Sequence, residues 1–262
     1  MKTIRLNNGV EMPVLGYGTY QVPQSDTERC VSDALQAGYR LIDTAQYYGN
    51  ESGVGDAVAA SGIPRGEVFI TTKLQSNRNV PGSVETSLRK LKTDYIDLLL
   101  IHWVMGNDLR TWREMERLCQ SGIVRAIGLS NFYGRDYENI IGHCEIMPAV
   151  NQLETHVFYQ NKALRKLYEY QGVRLEAWSP FGAGRAGMFS NPILKSIACK
   201  HGRTVAQVIL RFLIQNGIIA IPKTTHVERM KENLCIFDFT LDWEDIDKIE
   251  AMDRNESLFG WY

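Results

Sequence analysis

Four residues with acid, phenol, amine and imidazole side chains lie at or just beyond three successive β-prone runs of the chain. Asp43 ends the run RLID, and Tyr48 follows it in the loop TAQYYGNE. Lys73 ends VFITTK, and His102 ends YIDLLLIH. A charge that is buried without a partner is costly, so neither Asp43 nor Lys73 is readily buried alone. We therefore predict that Asp43 and Lys73 form an ion pair.

These four side chains could together carry out general acid catalysis. The ammonium group of Lys73, aimed at the Tyr48 oxygen, favours the phenolate and is expected to lower a pKa that is ordinarily near 10. A phenol tuned in this way becomes a useful proton donor near neutral pH. His102 could polarise or orient whichever oxygen atom Tyr48 addresses.

Each of these residues also has a purely structural interpretation. An Asp–Lys pair across neighbouring strands is often only a structural ion pair. A tyrosine after a strand is often a packing residue, and His102 beside Trp103 could be a core histidine. The coincidence of four such residues on adjacent strand ends favours the catalytic interpretation.

The rest of the chain predicts the scaffold that positions them. Short β-branched runs alternate with amphipathic helical windows, and several runs are apolar at consecutive positions, as in parallel strands covered on both faces. Eight such units predict one (β/α)8 TIM barrel domain over residues 1–262, with chemistry at the carboxyl ends of its strands. The candidate strands cover residues 14–19, 40–43, 68–73, 95–102, 124–130, 149–154, 173–179 and 217–223.

Several features are added to the eight units. The opening IRLNNGVEMPVL predicts an N-terminal β-hairpin ahead of the first barrel strand. Extra helices are expected before and after the last βα unit, the former over 191–201. Ser25 with Glu28, and Thr204 with Gln207, have capping-box spacing at helix starts. A doubly wound open sheet is the rival fold, but the GxGxxG that usually announces it is absent.

Composition and sequence features disfavour several classes of partner and site. A net charge of -1 and a pI near 6.5 do not favour nucleic acid or an anionic membrane. The N-terminus lacks the apolar region of a signal peptide, and the chain has no apolar run of about 18 residues to span a bilayer. The five cysteines form no CxxC pair, so neither a zinc site nor a disulfide framework is indicated. We expect a cytoplasmic monomer with reduced thiols.

Eight segments in chain order resemble the aldo-keto reductase family, and the resemblance covers essentially the whole chain. They are MPVLGYGT, GYRLIDTAQYYGNE, ITTKL, LLLIHW, GLSNF, PAVNQLE, WSPFG and IPKTTHVERMKEN. The resemblance implies reduction of aldehydes and ketones to alcohols by hydride transfer from NADPH. It places the catalytic tetrad on Asp43, Tyr48, Lys73 and His102, with Tyr48 as the general acid.

The resemblance also assigns cofactor contacts at the strand ends. Trp178 is expected to stack on the nicotinamide ring; many members have tyrosine there, and tryptophan keeps the flat face but loses the hydroxyl. Nine further residues would hold the carboxamide (Ser130, Asn131, Gln152), the nicotinamide ribose (Gly18, Thr19, Asp43) and the pyrophosphate (Ser179, Phe181, Gly182).

The segment after the last strand bears on which nucleotide is used. Lys223, Thr224 and Arg229 match the family's clamp for the adenosine 2′-phosphate, while Glu232 and Asn233 match its adenine contacts. Two cations and a hydroxyl suit a dianionic phosphate, which favours NADPH over NADH. The alternative for Arg229 is a solvated charge on the last barrel helix.

Aromatic residues are expected to form the substrate pocket. Tyr20, Tyr48 and Trp103 would line it beside His102 and accept a small carbonyl compound, with Trp261 added from the C-terminal segment. The segment from Lys73 to the fourth strand and the closing segment DRNESLFGWY are short. Family members with selective pockets usually carry longer loops there, so the resemblance implies an open and permissive site.

Two other functions stay open on the residues alone. A lysine at a barrel strand end beside an acid and a tyrosine also suits a Schiff-base aldolase that uses Lys73. A nucleotide-binding redox sensor with little turnover is the second alternative. The sequence does not specify which carbonyl compound is the substrate.

Overall fold

The computed structural model describes residues 2–261, and its centre is a sheet of eight parallel strands in chain order. A parallel bridge between Leu15 and Ala220 joins the first strand region to the last, and the Gly16 N–H donates to the Ala220 carbonyl at 2.8 Å. The sheet therefore closes, as the predicted (β/α)8 barrel requires. Its strands are β3 (Tyr17–Gly18), β4 (Leu41–Asp43), β5 (Phe69–Leu74), β6 (Ile96–Ile101), β7 (Val124–Ser130), β8 (Val150–Glu154), β9 (Arg174–Trp178) and β10 (Ile219–Ala220).

Helices surround this barrel, and the two predicted extra helices are present. They are α7 (Pro192–His201), before the last βα unit, and α10 (Trp243–Glu250), after it. None of the helices within residues 2–261 is long and apolar enough to cross a membrane. The helices are α1 (Gln24–Ala37), α2 (Glu51–Ala60), α3 (Val80–Leu91), α4 (Asp108–Gln120), α5 (Gly134–Ile141), α6 (Lys162–Gln171), α7 (Pro192–His201), α8 (Val205–Gln215), α9 (Val227–Leu234) and α10 (Trp243–Glu250).

The predicted hairpin is formed by β1 (Thr3–Arg5) and β2 (Glu11–Pro13), which pair antiparallel. Its Leu6 and Met12 pack with inward-facing residues of the barrel strands, and Asn7 donates to the Pro148 carbonyl, next to the start of β8, at 2.9 Å. The hairpin therefore closes the amino-terminal end of the barrel.

The strands place polar residues inside the opposite end of the barrel. Side chains alternate between the two faces of a strand, so every second residue faces the barrel interior. In β5, Phe69 faces the barrel interior near the hairpin, and Lys73 faces it four residues later. In β6, Leu98 and Leu100 precede His102 on the same face. The apolar layers support the barrel, and the polar layer lies at its carboxyl-terminal mouth.

Two helix starts were predicted from capping boxes, and one prediction is wrong. Thr204 and Gln207 form the reciprocal capping box at the start of α8. In contrast, α1 begins at Gln24, directly after Pro23, and no side chain caps it. The fixed φ of proline suits a helix start, so Ser25 lies inside the helix and not at its cap.

The first and last barrel strands are shorter than predicted. Regular pairing covers only Tyr17–Gly18 of residues 14–19 and Ile219–Ala220 of residues 217–223. Pro222 has no N–H to donate, so pairing beyond β10 consists of single bonds such as that from the Gly18 N–H to the Pro222 carbonyl.

Candidate active site

A cavity of about 880 Å³ lies at the carboxyl-terminal mouth of the barrel and is lined by most of the predicted site residues. Its volume is within the range of small-molecule and cofactor sites. The predicted residues in its wall are Gly18, Tyr20, Asp43, Tyr48, His102, Trp103, Ser130, Asn131, Gln152, Trp178, Ser179, Phe181 and Lys223. The remaining predicted residues lie outside the wall: Thr19, Lys73, Gly182, Thr224, Arg229, Glu232 and Asn233.

The predicted ion pair between Lys73 and Asp43 is present and fully buried. The Lys73 Nζ donates to Asp43 Oδ1 at 2.6 Å and to the Thr44 carbonyl at 3.0 Å, and it lies 3.5 Å from Tyr48 Oη. Burial alone would lower the pKa of Lys73, but the charge of Asp43, followed by Tyr48, raises it above its usual value. Lys73 is therefore a fixed ammonium group beneath the phenol.

The charge of Lys73 does act to lower the pKa of Tyr48, but the predicted net fall from the usual value near 10 is wrong. Burial of the phenol raises the pKa of Tyr48 to about 12, and the Lys73 charge opposes this only in part because Asp43 lies close by. Tyr48 is consequently protonated throughout the physiological pH range, which is the state that a proton donor requires.

The loop that carries Tyr48 is held at both ends. Asn50 donates to the Thr19 and Val22 carbonyls at 3.0 and 3.2 Å and accepts a hydrogen bond from Thr44. Gln46 accepts a hydrogen bond from the Gln75 N–H at 3.0 Å. These contacts fix the phenol above Lys73 without a long rigid element.

His102 is a neutral imidazole at the cavity wall. Only 8% of its surface is exposed, and its ring centroid lies 5.6 Å from that of Tyr48. Burial, followed by the charge of Lys73, lowers the pKa of His102 to about 3. A neutral ring can donate one hydrogen bond to a ligand oxygen without adding a charge.

The low pKa of His102 leads to a prediction about how the stability of the fold depends on pH. Between pH 6.5 and about 3 the unfolded chain binds a proton at His102 that the folded chain does not, so acidification destabilises the fold. In His102→Gln we expect the free energy of unfolding to fall less steeply across this window, by up to about 1.4 kcal/mol per pH unit. Urea unfolding at several pH values measures this slope, and a slope equal to that of the wild type would contradict the assignment.

Asn131 connects three strand ends around the cavity. It adopts the left-handed region, with φ of 62°, which asparagine tolerates better than most residues. Its amide donates to the His102 carbonyl at 3.0 Å and accepts from Trp178 Nε1 at 2.8 Å. The indole N–H thus has a buried partner, and the flat face of Trp178 is held at the cavity wall.

The C-terminal segment contributes aromatic residues that sequence reasoning found only in part. Trp261 was expected and does line the cavity, where it stacks on Trp178 at 5.4 Å with an angle of 18° between the rings. Phe259 was missed, and it packs against both indoles at 5.1 and 4.9 Å.

Glu154, at the end of β8, anchors this segment and was also missed. Its buried carboxylate accepts hydrogen bonds from Ser257 Oγ at 2.6 Å and from the Leu258 N–H at 2.8 Å. His156 Nε2 lies 3.0 Å from it. An acid on the inward face of a strand was the only sequence signal for this anchor, because Ser257 and Leu258 lie 103 and 104 residues away in the chain.

The residues predicted to hold the adenosine half of a nucleotide lie on and before α9. Lys223 and Arg229 are exposed, and Lys223 also lines the cavity. Thr224 is buried, and its Oγ1 accepts the His226 N–H at 3.2 Å. Glu232 is half-buried and accepts from Thr204 at 2.8 Å. Lys223 and Arg229 are therefore the most accessible of these groups to a ligand.

The chain matches the model of the aldo/keto reductase family over residues 14–254. Glyoxal reductase of Bacillus subtilis (strain 168) is 44% identical over 262 residues, covering 98% of this chain and 94% of that protein. Methylglyoxal reductase DkgA of Yersinia pestis is 39% identical over 260 residues, covering 97% and 94%. A crystal structure of a Gox0644 mutant in complex with NADPH has a TM-score of 0.92 and 38% identity, covering 98% of this chain and 95% of that one.

This chain belongs to the aldo/keto reductase family, and the resemblance seen in its eight sequence segments is confirmed. It is an oxidoreductase with the barrel fold of that family.

Proposed function

We propose that this protein reduces small aldehydes and ketones with NADPH and that Tyr48 is the general acid. The observation that carries the proposal is the arrangement at the cavity: the Tyr48 oxygen lies 3.5 Å from the buried ammonium of Lys73 and beside the ring of His102. The names of two relatives, glyoxal reductase and methylglyoxal reductase, support small 2-oxoaldehydes as the first substrates to test.

The residues divide the chemistry of carbonyl reduction among them. Bound NADPH would supply the hydride that adds to the carbonyl carbon. As the carbonyl π electrons move onto oxygen, Tyr48 gives its proton to that oxygen and becomes a phenolate. The ammonium of Lys73, held by Asp43, stabilises this phenolate, and the neutral ring of His102 donates a hydrogen bond to the carbonyl oxygen.

The cavity has groups that fit the nicotinamide half of this cofactor. Ser130, Asn131 and Gln152 offer hydrogen-bonding side chains, and Trp178 offers a flat aromatic face. Trp261 already covers one face of that indole, so a bound nicotinamide uses the opposite face or takes the place of Trp261. By family resemblance, Gly18, Thr19 and Asp43 would contact the ribose, and Ser179, Phe181 and Gly182 the pyrophosphate.

The exposed cations predict the nucleotide preference. In Arg229→Ala we expect the Kd for NADPH to rise about tenfold and the Kd for NADH to stay unchanged, because only NADPH carries the 2′-phosphate. Lys231→Ala, an exposed lysine on the same helix, is the matched control. Titration of tryptophan fluorescence measures both constants, and an equal loss for the two nucleotides would contradict the clamp.

The Schiff-base alternative is disfavoured by the position of Lys73. Its amine donates to Asp43 and Thr44, its pKa is raised, and it lies outside the cavity wall. A protonated amine is not a nucleophile, and this one does not meet a ligand in the cavity.

The proposed function is tested by NADPH consumption with glyoxal, methylglyoxal and a set of aromatic aldehydes and keto sugars, with NADH run beside it. Rapid oxidation of NADPH and weak use of NADH are expected. Tight binding of NADPH without oxidation by any of these compounds would favour a redox sensor. The absence of nucleotide binding would refute the proposal.

A further inference from the structure

Glu176 is a buried carboxyl group in the barrel interior that the proposed reaction does not use. It is 0% exposed and lies in register between Gln152 of β8 and Ile219 of β10. Its Oε2 accepts a hydrogen bond from Gln152 Nε2 at 2.9 Å. Its Oε1 has no hydrogen-bond partner among residues 2–261.

A buried carboxyl group with an unpaired oxygen destabilises the fold. A buried polar atom without a partner destabilises a protein, and the register neighbour Ile219 shows that this level of the barrel accommodates an apolar side chain. Burial, followed by the charge of Asp43, raises the pKa of Glu176 to about 8, so the carboxyl group is mostly neutral near neutral pH. Stability alone does not account for an acid here, and its hydrogen bond to Gln152 points to the site above it.

That contact determines how the Gln152 amide is oriented. The Nε2 group has two hydrogens, and it donates to Asp43 Oδ2 at 2.8 Å as well as to Glu176 Oε2. An amide turned the other way would bring its oxygen against Asp43 Oδ2 and would take the Nε2 hydrogens away from both of these acceptors. Because both hydrogens are used inside the barrel, Gln152 offers a ligand in the cavity only its oxygen.

We propose that Glu176 is a positioning residue that fixes the Gln152 amide with its oxygen available to the N–H of a primary carboxamide on the ligand. The inference rests on the proposed function, since the nicotinamide of NADPH carries such a carboxamide. Without the Glu176 acceptor, one hydrogen of the Gln152 amide loses its partner and the amide can rotate or flip. Glu176 thus acts on the cofactor through Gln152 and does not touch it.

The test compares Glu176→Met with Glu176→Gln, which are close in size to glutamate. Tryptophan fluorescence titration near neutral pH gives the Kd for NADPH and for adenosine 2′,5′-bisphosphate, which has no nicotinamide. We expect Glu176→Met to weaken NADPH binding about tenfold, as the loss of one hydrogen bond implies, and to bind the bisphosphate normally. Glu176→Gln should bind NADPH like the wild type, because its amide oxygen can still accept from Gln152.

A double-mutant cycle separates positioning from general damage to the fold. In a Gln152→Ala background, Glu176→Met should cause no further loss of NADPH affinity. Losses that add, or weaker binding of the bisphosphate as well, would show a structural role and overturn the inference. Equal NADPH binding by the wild type and Glu176→Met would overturn it alone, whereas a wild type that binds no NADPH would overturn the proposed function too.

Discussion

Replacement of Tyr48 by phenylalanine is expected to lower turnover at least about 100-fold, in line with the usual contribution of a general acid. The ring stays in place beside His102, but the carbonyl oxygen loses its proton donor. The affinity for NADPH should change little, because the proposed cofactor contacts come from other side chains. Steady-state kinetics with methylglyoxal and a fluorescence titration of NADPH measure the two quantities.

The neighbouring tyrosine provides a matched control. Tyr47 is 68% exposed and precedes Tyr48 in the same turn. Tyr47→Phe therefore removes a phenol hydroxyl from an adjacent residue. We expect that variant to keep most of its turnover. If Tyr48→Phe stayed as active as Tyr47→Phe, another group would have to supply the proton and the assignment would be refuted.

Replacement of Lys73 by methionine is expected to reduce both activity and stability. Asp43 would become a buried carboxylate without its ammonium partner, which typically costs about 3–5 kcal/mol of the free energy of unfolding. Turnover should also fall, because the phenolate of Tyr48 would lose the nearby cation that stabilises it. Urea unfolding measures the first effect and steady-state kinetics the second.

Two further variants show whether the unpaired charge is the cause. Asp43→Asn combined with Lys73→Met leaves no buried charge in the pair, so much of the lost stability should return while activity stays low. Lys248→Met breaks an exposed pair with Glu244 and should leave unfolding nearly unchanged. A Lys73→Met variant that unfolded like Lys248→Met would contradict the account of the pair.

Much of this site could be predicted from the sequence because strand periodicity carries the information. Asp43, Lys73 and His102 each end a β-prone run, and alternation of side chains brings such ends to one mouth of a barrel. The Asp43–Lys73 pair followed from the cost of burying either charge alone. The hairpin and the capping box of α8 were local signals of a few residues.

Other features depend on neighbours that the sequence does not identify. The pKa of Tyr48 depends on how deeply the phenol is buried, which is decided by segments from several barrel units. The anchoring of the C-terminal segment joins Glu154 to Ser257 across 103 residues. Glu176 becomes informative only when β8 places Gln152 beside it in register. Each of these features depends on long-range contacts that leave no local pattern in the sequence.

The hairpin at the amino-terminal end has a consequence for the order of ligand exchange. With Leu6 and Met12 packed into that end, the cavity formed by residues 2–261 opens at the carboxyl-terminal mouth, so both ligands of the proposed reaction would share that entrance. Gln152, an expected nicotinamide contact, is 2% exposed, whereas Tyr20, an expected substrate contact, is 42% exposed. For the proposed reaction we therefore expect the nucleotide to bind before the carbonyl compound and to leave after the alcohol, so that its departure can limit the rate of the cycle.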